Sequence, residues 1–326
     1  MKILLTGGTG FIGRNLAMKL SKMGFHVLCL VRNMRRAVWM GQYPGLEPVQ
    51  GDILYKNSIT PHIRDIDVVF HLAGVTKARN KDEHLSINAE GAGILFDSIA
   101  MEGRGIRKIV HISSLAVAGT HTSLYPAREN DEVSPVTHYG ESKLLSEQLL
   151  REKCRDIPWT IIRPPVVYGP LDRDVFIYFK MAKSGIIPIL GNGELELSII
   201  HVDDVIDGMI LAAFAEASDG EIYYLSDGKV HTFAEVAHML SKITGGAKII
   251  SLPSLIVKIA GIVADGIGCV SGKPQVINRQ KVKEALLKGW VCNTDKIREE
   301  LGFHPAIELE MGLESTYLWY RNAGWL

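Results

Sequence analysis

The 326-residue chain has few cysteines, no excess of charge of one sign and no long uninterrupted apolar run. Its four cysteines, Cys29, Cys154, Cys269 and Cys292, form no CxxC pair, which excludes a zinc site of that type and a disulfide scaffold. Lysine plus arginine and aspartate plus glutamate number 36 each, so the composition indicates no nucleic-acid partner. We expect no metal site and a reducing, cytoplasmic location.

The most apolar stretch, residues 252–270, is interrupted by Pro253, Lys258 and Asp265. A membrane-spanning helix needs about 20 mostly apolar residues in succession. We therefore expect no membrane span and interpret this stretch as a buried helix or a helix that covers a binding site. The first apolar run, residues 3–5, stops at Thr6, which predicts a strand and not an export signal.

The strongest pattern in the chain is ILLTGGTGFIG at residues 3–13. Its apolar run predicts a buried strand, its glycines allow a tight turn, and helical spacing begins at Phe11. The three glycines have the spacing GxxGxxG, one residue wider at the first gap than the GxGxxG dinucleotide fingerprint. Such a turn lets a pyrophosphate approach the free amides of a helix N-terminus. We therefore predict a dinucleotide site that includes Gly7, Gly10, Phe11, Ile12 and Gly13.

The end of the second predicted strand, residues 25–31, bears on which dinucleotide binds. In NAD sites an acidic residue about 20 residues after the glycines binds the ribose 2′-hydroxyl, whereas an arginine accommodates the 2′-phosphate of NADP. This chain has Val31 and then Arg32 there, without a carboxylate. We predict that Arg32 binds the cofactor and that NADP(H) is favoured, with NAD(H) as the other option. The alternative is that Arg32 is an exposed loop charge.

Further apolar runs, at residues 46–52, 67–72 and 107–114, alternate with helical patterns at residues 88–101 and 139–153. This alternation predicts an α/β fold with a Rossmann-type doubly wound parallel sheet. Ligands of such sheets bind beyond the carboxyl ends of the strands. Ser114 follows one of these strands and is therefore a candidate site residue.

Tyr139 and Lys143 are four residues apart at the start of a predicted helix, so they share one helix face. A free phenol titrates near pH ~10, and a neighbouring ammonium group favours the phenolate. The pair can therefore move a proton at an alcohol oxygen while hydride moves at carbon. Because the spacing is common in helices, its significance depends on Ser114 and the glycine turn upstream.

Together these motifs resemble the extended branch of the short-chain dehydrogenase/reductase superfamily, the NAD-dependent epimerase/dehydratase superfamily. The matching segments begin at the following residues: TGGTGFIG at Thr6, GDI at Gly51, HLAG at His71, ISS at Ile112, YGESK at Tyr139, RPPVVYGP at Arg163 and HVDD at His201. The resemblance implies a smaller, mixed α/β C-terminal substrate domain beside the Rossmann domain. We expect the NAD(P)-binding domain at residues 1–168 plus about 199–225, and the substrate-binding part at residues 169–198 and 226–326.

The resemblance also implies roles for individual residues. Tyr139 would be the acid/base, Lys143 would lower its pKa and hold the nicotinamide ribose, and Ser114 would hydrogen-bond the substrate oxygen. The implied cofactor contacts, besides the glycine turn and Arg32, are Asp52, Ile53, Leu72, Ala73, Gly74, Asn88, Tyr139, Lys143 and Pro165. For Asp52 a loop-capping role is an equally good alternative. The resemblance places His201, Asp203 and Asp204 at a loop and at the cap of a helix that we expect from Val205.

Departures from the family pattern bear on the substrate. Nucleotide-sugar enzymes of this branch usually have an arginine before the HVDD-like motif that binds the substrate pyrophosphate. This chain has Leu197 there and no cation in residues 191–200, and Leu115 and Ala116 replace the Asp-Glu pair of sugar 4,6-dehydratases. The C-terminal segments, from residue 249, resemble dihydroflavonol-reductase-like and 3β-hydroxysteroid-dehydrogenase-like members, whose substrates have apolar skeletons.

We therefore predict an NAD(P)(H)-dependent oxidoreductase that reduces a carbonyl or oxidises a secondary alcohol on a largely apolar small molecule. One alternative is a nucleotide-sugar epimerase or dehydratase. A second alternative is a non-catalytic NADP-sensing protein, since a fold alone does not determine function. Family members often pair through two helices, so a homodimer is an open expectation.

Overall fold

The computed structural model describes residues 1–253 and 287–326. Its strands are β1 (Lys2–Thr6), β2 (His26–Val31), β3 (Leu46–Gln50), β4 (Val68–His71), β5 (Lys108–Ile112), β6 (Trp159–Arg163), β7 (Val166–Tyr168), β8 (Ile186–Leu190), β9 (Glu196–Leu197), β10 (Ile199–His201), β11 (Glu221–Tyr224), β12 (His231–Thr232), β13 (Lys248–Leu252) and β14 (Gly289–Trp290).

The helices alternate with these strands. They are α1 (Phe11–Lys22), α2 (Lys56–Ile59), α3 (Lys81–His84), α4 (Gly91–Glu102), α5 (His138–Lys153), α6 (Phe176–Lys183), α7 (Val202–Phe214), α8 (Phe233–Thr244), α9 (Asp295–Leu301) and α10 (Leu309–Asn322). Short 3₁₀ helices lie at Met34–Gln42, Thr60–His62, Leu115–Val117 and Glu216–Ser218, and a π-helix lies at Leu85–Glu90.

Seven of the strands form one parallel sheet in the order β11-β6-β5-β4-β1-β2-β3. The strand order reverses between β1 and β4, as in doubly wound dinucleotide-binding sheets, whose ligands bind in the crevice at this point. The predicted α/β fold with a Rossmann-type sheet is therefore confirmed. The glycine turn follows β1 and Leu72 follows β4, so both lie at this crevice.

The sheet is buried on both faces, because side chains of alternate residues point to opposite sides of a strand. Ile3 and Leu5 of β1 belong to an apolar cluster with residues of α1 and α7. Leu4 belongs to a second cluster, with residues of α4 and α5. Two helical layers therefore hold the strands, and the carboxyl ends of β1, β4 and β5 are supported from both faces.

Three smaller sheets lie outside the seven-stranded one: β7 with β10, β8 with β13, and β9 between β12 and β14. A third apolar cluster gathers residues of α6, α8 and α10. Smaller mixed sheets beside the main sheet agree with the predicted mixed α/β second part, but the predicted domain boundaries stay a prediction.

Two helices differ from their predicted bounds. The helical stretch that contains Asn88 begins at Lys81, because the Asn80 side chain caps its first turn, and it passes through a π-helix before α4. Helix α7 begins at Val202 and not at Val205, because the His201 side chain accepts the backbone N–H of Asp203. Asp204 instead accepts the backbone N–H groups of residues 306 and 307, at 2.9 and 3.1 Å.

The predicted apolar helix at residues 252–270 and the segment from Lys273 lie, from residue 254 onward, outside the described residues. In the described ranges, no helix combines the length and the apolar composition that crossing a bilayer requires.

Candidate active site

The turn after β1 is built so closely that only glycine fits at two of its positions. A Cβ atom on Gly7 would lie 2.6 Å from the backbone carbon of Leu72, and Gly7 has a φ of 76°. A Cβ atom on Gly13 would lie 2.2 Å from the Gly7 carbonyl oxygen. The glycines therefore bring β1, α1 and the end of β4 into close backbone contact.

The N-terminus of α1 meets this turn with free backbone amides. The cap residue, Gly10, has no side chain to accept them, and the first bond of the helix runs from the Arg14 N–H to the Gly10 oxygen, at 2.9 Å. The amides of Phe11, Ile12 and Gly13 therefore have no acceptor within the helix. Amides at a helix N-terminus, approached over glycine, fit the pyrophosphate of a dinucleotide.

The loop after β4 is anchored to the glycine turn by Thr6. The Leu72 N–H donates to the Thr6 carbonyl oxygen and the Ala73 N–H donates to the Thr6 Oγ1, both at 3.2 Å. Leu72 and Ala73, predicted as cofactor contacts, thus lie directly beside Gly7.

Asn88 holds the next part of that loop. Its Oδ1 accepts the Val75 N–H at 2.7 Å, and its Nδ2 donates to the Val75 oxygen and the Ser142 Oγ, both at 3.0 Å. A Cβ atom on Gly74 would lie 3.0 Å from the Asn88 Oδ1. Because these bonds occupy the Asn88 amide, its direct role is to connect the Gly74 loop to α5, and the predicted cofactor contact stays untested.

Ser114 and the start of α5 are packed against each other. The Ser114 Oγ accepts the Ala116 N–H at 3.1 Å and caps the 3₁₀ helix Leu115–Val117. A Cβ atom on Gly140 would lie 2.4 Å from the Ala116 carbonyl oxygen, so only glycine lets α5 approach this turn. The structure thereby brings Tyr139 and Lys143 to the turn that begins at Ser114. Pro165 lies beside the same turn, since the Leu115 N–H donates to the oxygen of the preceding proline at 2.9 Å.

Lys143 is almost fully buried, with 5% of its surface exposed. Burial lowers the pKa of its ammonium group to about 8, although the Glu147 carboxylate raises it. One turn earlier, the backbone oxygen of Tyr139 accepts the Ser142 hydroxyl at 2.7 Å. A lysine with this pKa is still largely protonated at neutral pH, so it can favour the phenolate form of a neighbouring tyrosine.

Beneath Lys143 lies a buried ion pair that sequence reasoning missed. Glu147 and Arg163 are 0% and 2% exposed in their side chains, and the guanidinium binds both carboxylate oxygens, at 2.9 and 2.7 Å. Arg163 also donates to the Tyr224 hydroxyl at 3.0 Å, and Arg151 reaches Glu147 from the surface. Burial lowers the pKa of Arg163, but Glu147 and Tyr224 together raise it more, so the net shift is upward. The four-residue spacing from Lys143 to Glu147 could have indicated, from the sequence, that this carboxylate lies near Lys143.

His71 and His111, on neighbouring strands, lie within reach of the Lys143 charge. Their rings stack with centroids 5.1 Å apart, and both residues are at most 1% exposed. Burial and then the Lys143 charge lower the pKa of His71 to about 3 and lower that of His111 well below its ordinary value. Ser146 donates its hydroxyl to the Lys143 oxygen and also contacts His111 Nε2, at 2.9 Å. His111 must then donate from Nε2, and both rings stay neutral near pH 7.

Directly after the carboxyl end of β2, Arg32 is exposed. The Asp52 carboxylate accepts the Leu54 N–H at 3.1 Å, so it caps its own loop. The Ile53 side chain is only 6% exposed and belongs to the apolar cluster under α4. The Asp52 side chain therefore has the loop-capping role that was the alternative to a cofactor contact. Contacts of Asp52 and Ile53 with adenine stay predictions.

Leu197 lies in β9, with 8% of its surface exposed. It pairs with His231 of β12 and Trp290 of β14. The place where related sugar-nucleotide enzymes would carry an arginine is thus a buried position in a three-stranded sheet.

The chain is similar to a known protein family and to known reductases. The model of the NAD dependent epimerase/dehydratase family matches residues 3–225. The chain is 28% identical to the ceramide reductase of Caulobacter vibrioides over 329 residues, which cover 99% of this chain and 96% of that protein. It is 27% identical to the 4-hydroxy-2-methyl-3-oxo-4-farnesyl-3,4-dihydroquinoline-1-oxide ketoreductase of Stigmatella aurantiaca over 332 residues, 99% of this chain and 97% of that protein.

The fold was compared with solved structures. The crystal structure of UDP-glucose 4-epimerase with UDP-glucose from Thermotoga maritima superposes with a TM-score of 0.81 at 23% identity and covers 99% of both chains. At this identity the likeness concerns the fold. The family match, in contrast, extends over more than half of the chain and includes the glycine turn, Ser114, Tyr139 and Lys143. The protein belongs to the NAD dependent epimerase/dehydratase family.

Proposed function

We propose that this protein is an NADP(H)-dependent oxidoreductase that reduces a carbonyl, or oxidises the corresponding secondary alcohol, on a largely apolar small molecule. The observation that carries the proposal is the close packing of the Tyr139 and Lys143 helix on the Ser114 turn. There the buried Lys143 ammonium has its pKa lowered to about 8.

In this reaction each residue has one task. The glycine turn and the N-terminus of α1 would hold the pyrophosphate of the reduced dinucleotide, which would supply a hydride for the carbonyl carbon. The Tyr139 hydroxyl donates its proton to the carbonyl oxygen, and Lys143 stabilises the phenolate that remains. Ser114 already accepts a backbone N–H, so its own hydroxyl proton is available to hydrogen-bond the substrate oxygen.

The proposed cofactor preference follows from the charge at the end of β2. NAD sites place a carboxylate there, and this chain places Arg32. The exposed guanidinium can bind a 2′-phosphate by charge-assisted hydrogen bonds. NAD(H) is the alternative cofactor, and family membership itself implies only an NAD-type dinucleotide.

The proposed substrate class rests on two observations. The buried Leu197 leaves no cation for a substrate pyrophosphate at its position. The two relatives named above are a ceramide reductase and a ketoreductase of a farnesyl compound. Both names describe reductases whose substrates carry long apolar chains. We propose that residues 169–198 and 226–326 form the substrate side and that residues 1–168 with about 199–225 hold the cofactor. A homodimer and a cytoplasmic location stay predictions.

A nucleotide-sugar epimerase is the second candidate. It is favoured by the family's name and by the fold likeness to a UDP-glucose 4-epimerase, and Leu197 argues against it. An epimerase regenerates its bound nicotinamide in each cycle, so it consumes no added cofactor. A non-catalytic NADP-sensing protein would bind the cofactor without turning over either class of substrate.

The test measures the loss of reduced-nicotinamide absorbance with NADPH, or separately NADH, and a panel of ketones of increasing chain length. UDP-sugars are run alongside and analysed for interconversion. Turnover of a long-chain ketone with NADPH is expected. Interconversion of a UDP-sugar without cofactor consumption, with no ketone turned over, would contradict the proposal in favour of the epimerase.

A further inference from the structure

Arg14 is a partly buried cation that has no anionic partner among the described residues. It follows Gly13 in the first turn of α1, and its Cζ lies 4.4 Å from the centroid of the Trp39 ring. Its Nε is buried and has no hydrogen-bond partner in the part of the chain that the structure describes. Burial lowers its pKa, and the only opposing effect comes from the phenol of Tyr43.

Four other described arginines also lie over aromatic rings. Arg151 and Arg163 bind the Glu147 carboxylate, and Arg173 and Arg321 are exposed, so Arg14 differs from all four in being partly buried without a carboxylate partner among the described residues. A buried charge is costly unless it is paired and hydrogen-bonded. The stacking on Trp39 stabilises the charge only in part and leaves the buried Nε–H without a hydrogen-bond partner among the described residues. Arg14 therefore has unused capacity to bind an anion.

The location of Arg14 indicates which anion. The 3₁₀ helix Met34–Gln42, which carries Trp39, begins two residues after Arg32. Helix α1 begins at the glycine turn, so Arg14 and Arg32 come from the two segments that border the carboxyl end of β2. In doubly wound dinucleotide sites this is where the adenosine ribose lies. At the carboxyl end of β3, the Asp52 carboxylate caps its own loop, and the Glu47 carboxylate pairs with His26 at the amino ends of β3 and β2.

We propose that Arg14, stacked on Trp39, is a second binding residue for a 2′-phosphate on the adenosine ribose of the cofactor, together with Arg32. This inference rests on the proposed choice of NADP(H). An aromatic ring under the guanidinium restricts its orientation, so its fork of N–H donors can meet a phosphate with little loss of side-chain freedom. Arg32 is exposed and supplies the second, more mobile charge.

The test uses the intact protein and two nucleotide fragments, adenosine 2′,5′-bisphosphate and AMP, with binding measured by calorimetry. Wild type is expected to prefer the bisphosphate. Arg14→Gln should weaken binding of the bisphosphate by about tenfold or more and leave AMP binding nearly unchanged, because a charge-assisted bond to the 2′-phosphate is lost. Arg14→Lys, which keeps the charge, should retain part of the preference. Arg104→Ala removes an exposed arginine that precedes β5, at the amino ends of the strands and away from the glycine turn. This control should change neither affinity.

The outcomes separate this inference from the proposed function. Equal weakening of both nucleotides by Arg14→Gln would show that Arg14 supports the fold or another part of the nucleotide, and would overturn the inference. Unchanged affinities would overturn it as well, and a loss confined to Arg32→Ala would leave Arg32 as the phosphate ligand. If wild type itself shows no preference for the bisphosphate, the proposed choice of NADP(H) fails together with the inference. Turnover of ketones is measured separately and tests the reductase chemistry.

Discussion

The cationic side chains at the two ends of the candidate site differ in whether they have a carboxylate partner. At the acid/base end, Lys143 and Arg163 are both buried, and the Glu147 carboxylate lies between them in the α5 network. At the proposed adenosine end, Arg14 and Arg32 form no ion pair with a carboxylate of the described residues. Both ends lie at the carboxyl edge of the same sheet, so the difference does not come from the fold class.

The buried charges near Lys143 are paired within the protein, whereas we propose that Arg14 and Arg32 bind a ligand. A buried pair such as Glu147 and Arg163 is satisfied before any cofactor arrives, and breaking it leaves an uncompensated charge in the interior. Arg14 is partly buried and has no carboxylate partner among residues 1–253 and 287–326, so its proposed partner is a ligand. Substitutions at the first end should therefore affect catalysis or stability, and those at the second should affect only the choice of nucleotide.

The largest effect is expected for Tyr139→Phe. Loss of the hydroxyl removes the proton donor, so kcat should fall by roughly 10²- to 10⁴-fold, while the cofactor dissociation constant should change little. Steady-state kinetics and fluorescence titration with NADPH measure the two quantities. Tyr55→Phe, which removes an exposed hydroxyl, is the matched control. Unchanged turnover would show that a group other than Tyr139 donates the proton.

Arg163→Met tests the buried pair. It leaves Glu147 without its principal partner in the interior, and the free energy of unfolding in urea should fall by about 3–5 kcal/mol. Arg151→Ala removes the surface partner of the same carboxylate and should cost less than about 1 kcal/mol. The double variant Glu147→Gln, Arg163→Met should recover part of the loss. Equal losses for the two arginines would contradict the distinction between buried and exposed partners.

Arg32→Ala tests the adenosine end. The ratio of NADPH to NADH affinity should fall by about tenfold, because a charge-assisted bond to the 2′-phosphate is worth roughly 1.5–3 kcal/mol. Protein stability should not change, since Arg32 is exposed. Arg155→Ala, at an exposed position that precedes β6, controls for the loss of one positive charge. A constant ratio would mean that Arg32 is only a loop charge.

The smallest effect concerns the dependence of activity on pH. The pKa of Lys143 is lowered to about 8, so its ammonium form is present below this pH and is lost above it. The value of kcat/KM should therefore decrease as pH rises through about 8. Glu147→Gln removes the carboxylate that raises this pKa, and should move the decrease to lower pH. An unchanged profile in that variant would show that another group titrates.

Much of this arrangement could be predicted from the chain alone, because it depends on local order. The strand, glycine turn and helix at residues 3–22 follow from neighbouring residues, and the Tyr139 to Lys143 spacing follows from helix geometry. The fold class follows from alternation of strands and helices, and the structure confirms it. The helix ends were less predictable, since the capping side chains Asn80 and His201 lie outside the apolar patterns.

The amino-acid sequence by itself determined the family motifs, the alternation of strands and helices along the chain and the residue types of the site. Only the tertiary structure decided how the charges are shared, because pairing depends on contacts between residues far apart in the chain. Arg163 lies on β6 and meets Glu147 on α5, while Arg14 on α1 meets Trp39 after β2. No local pattern specifies that one of these arginines finds a carboxylate and the other only an aromatic ring.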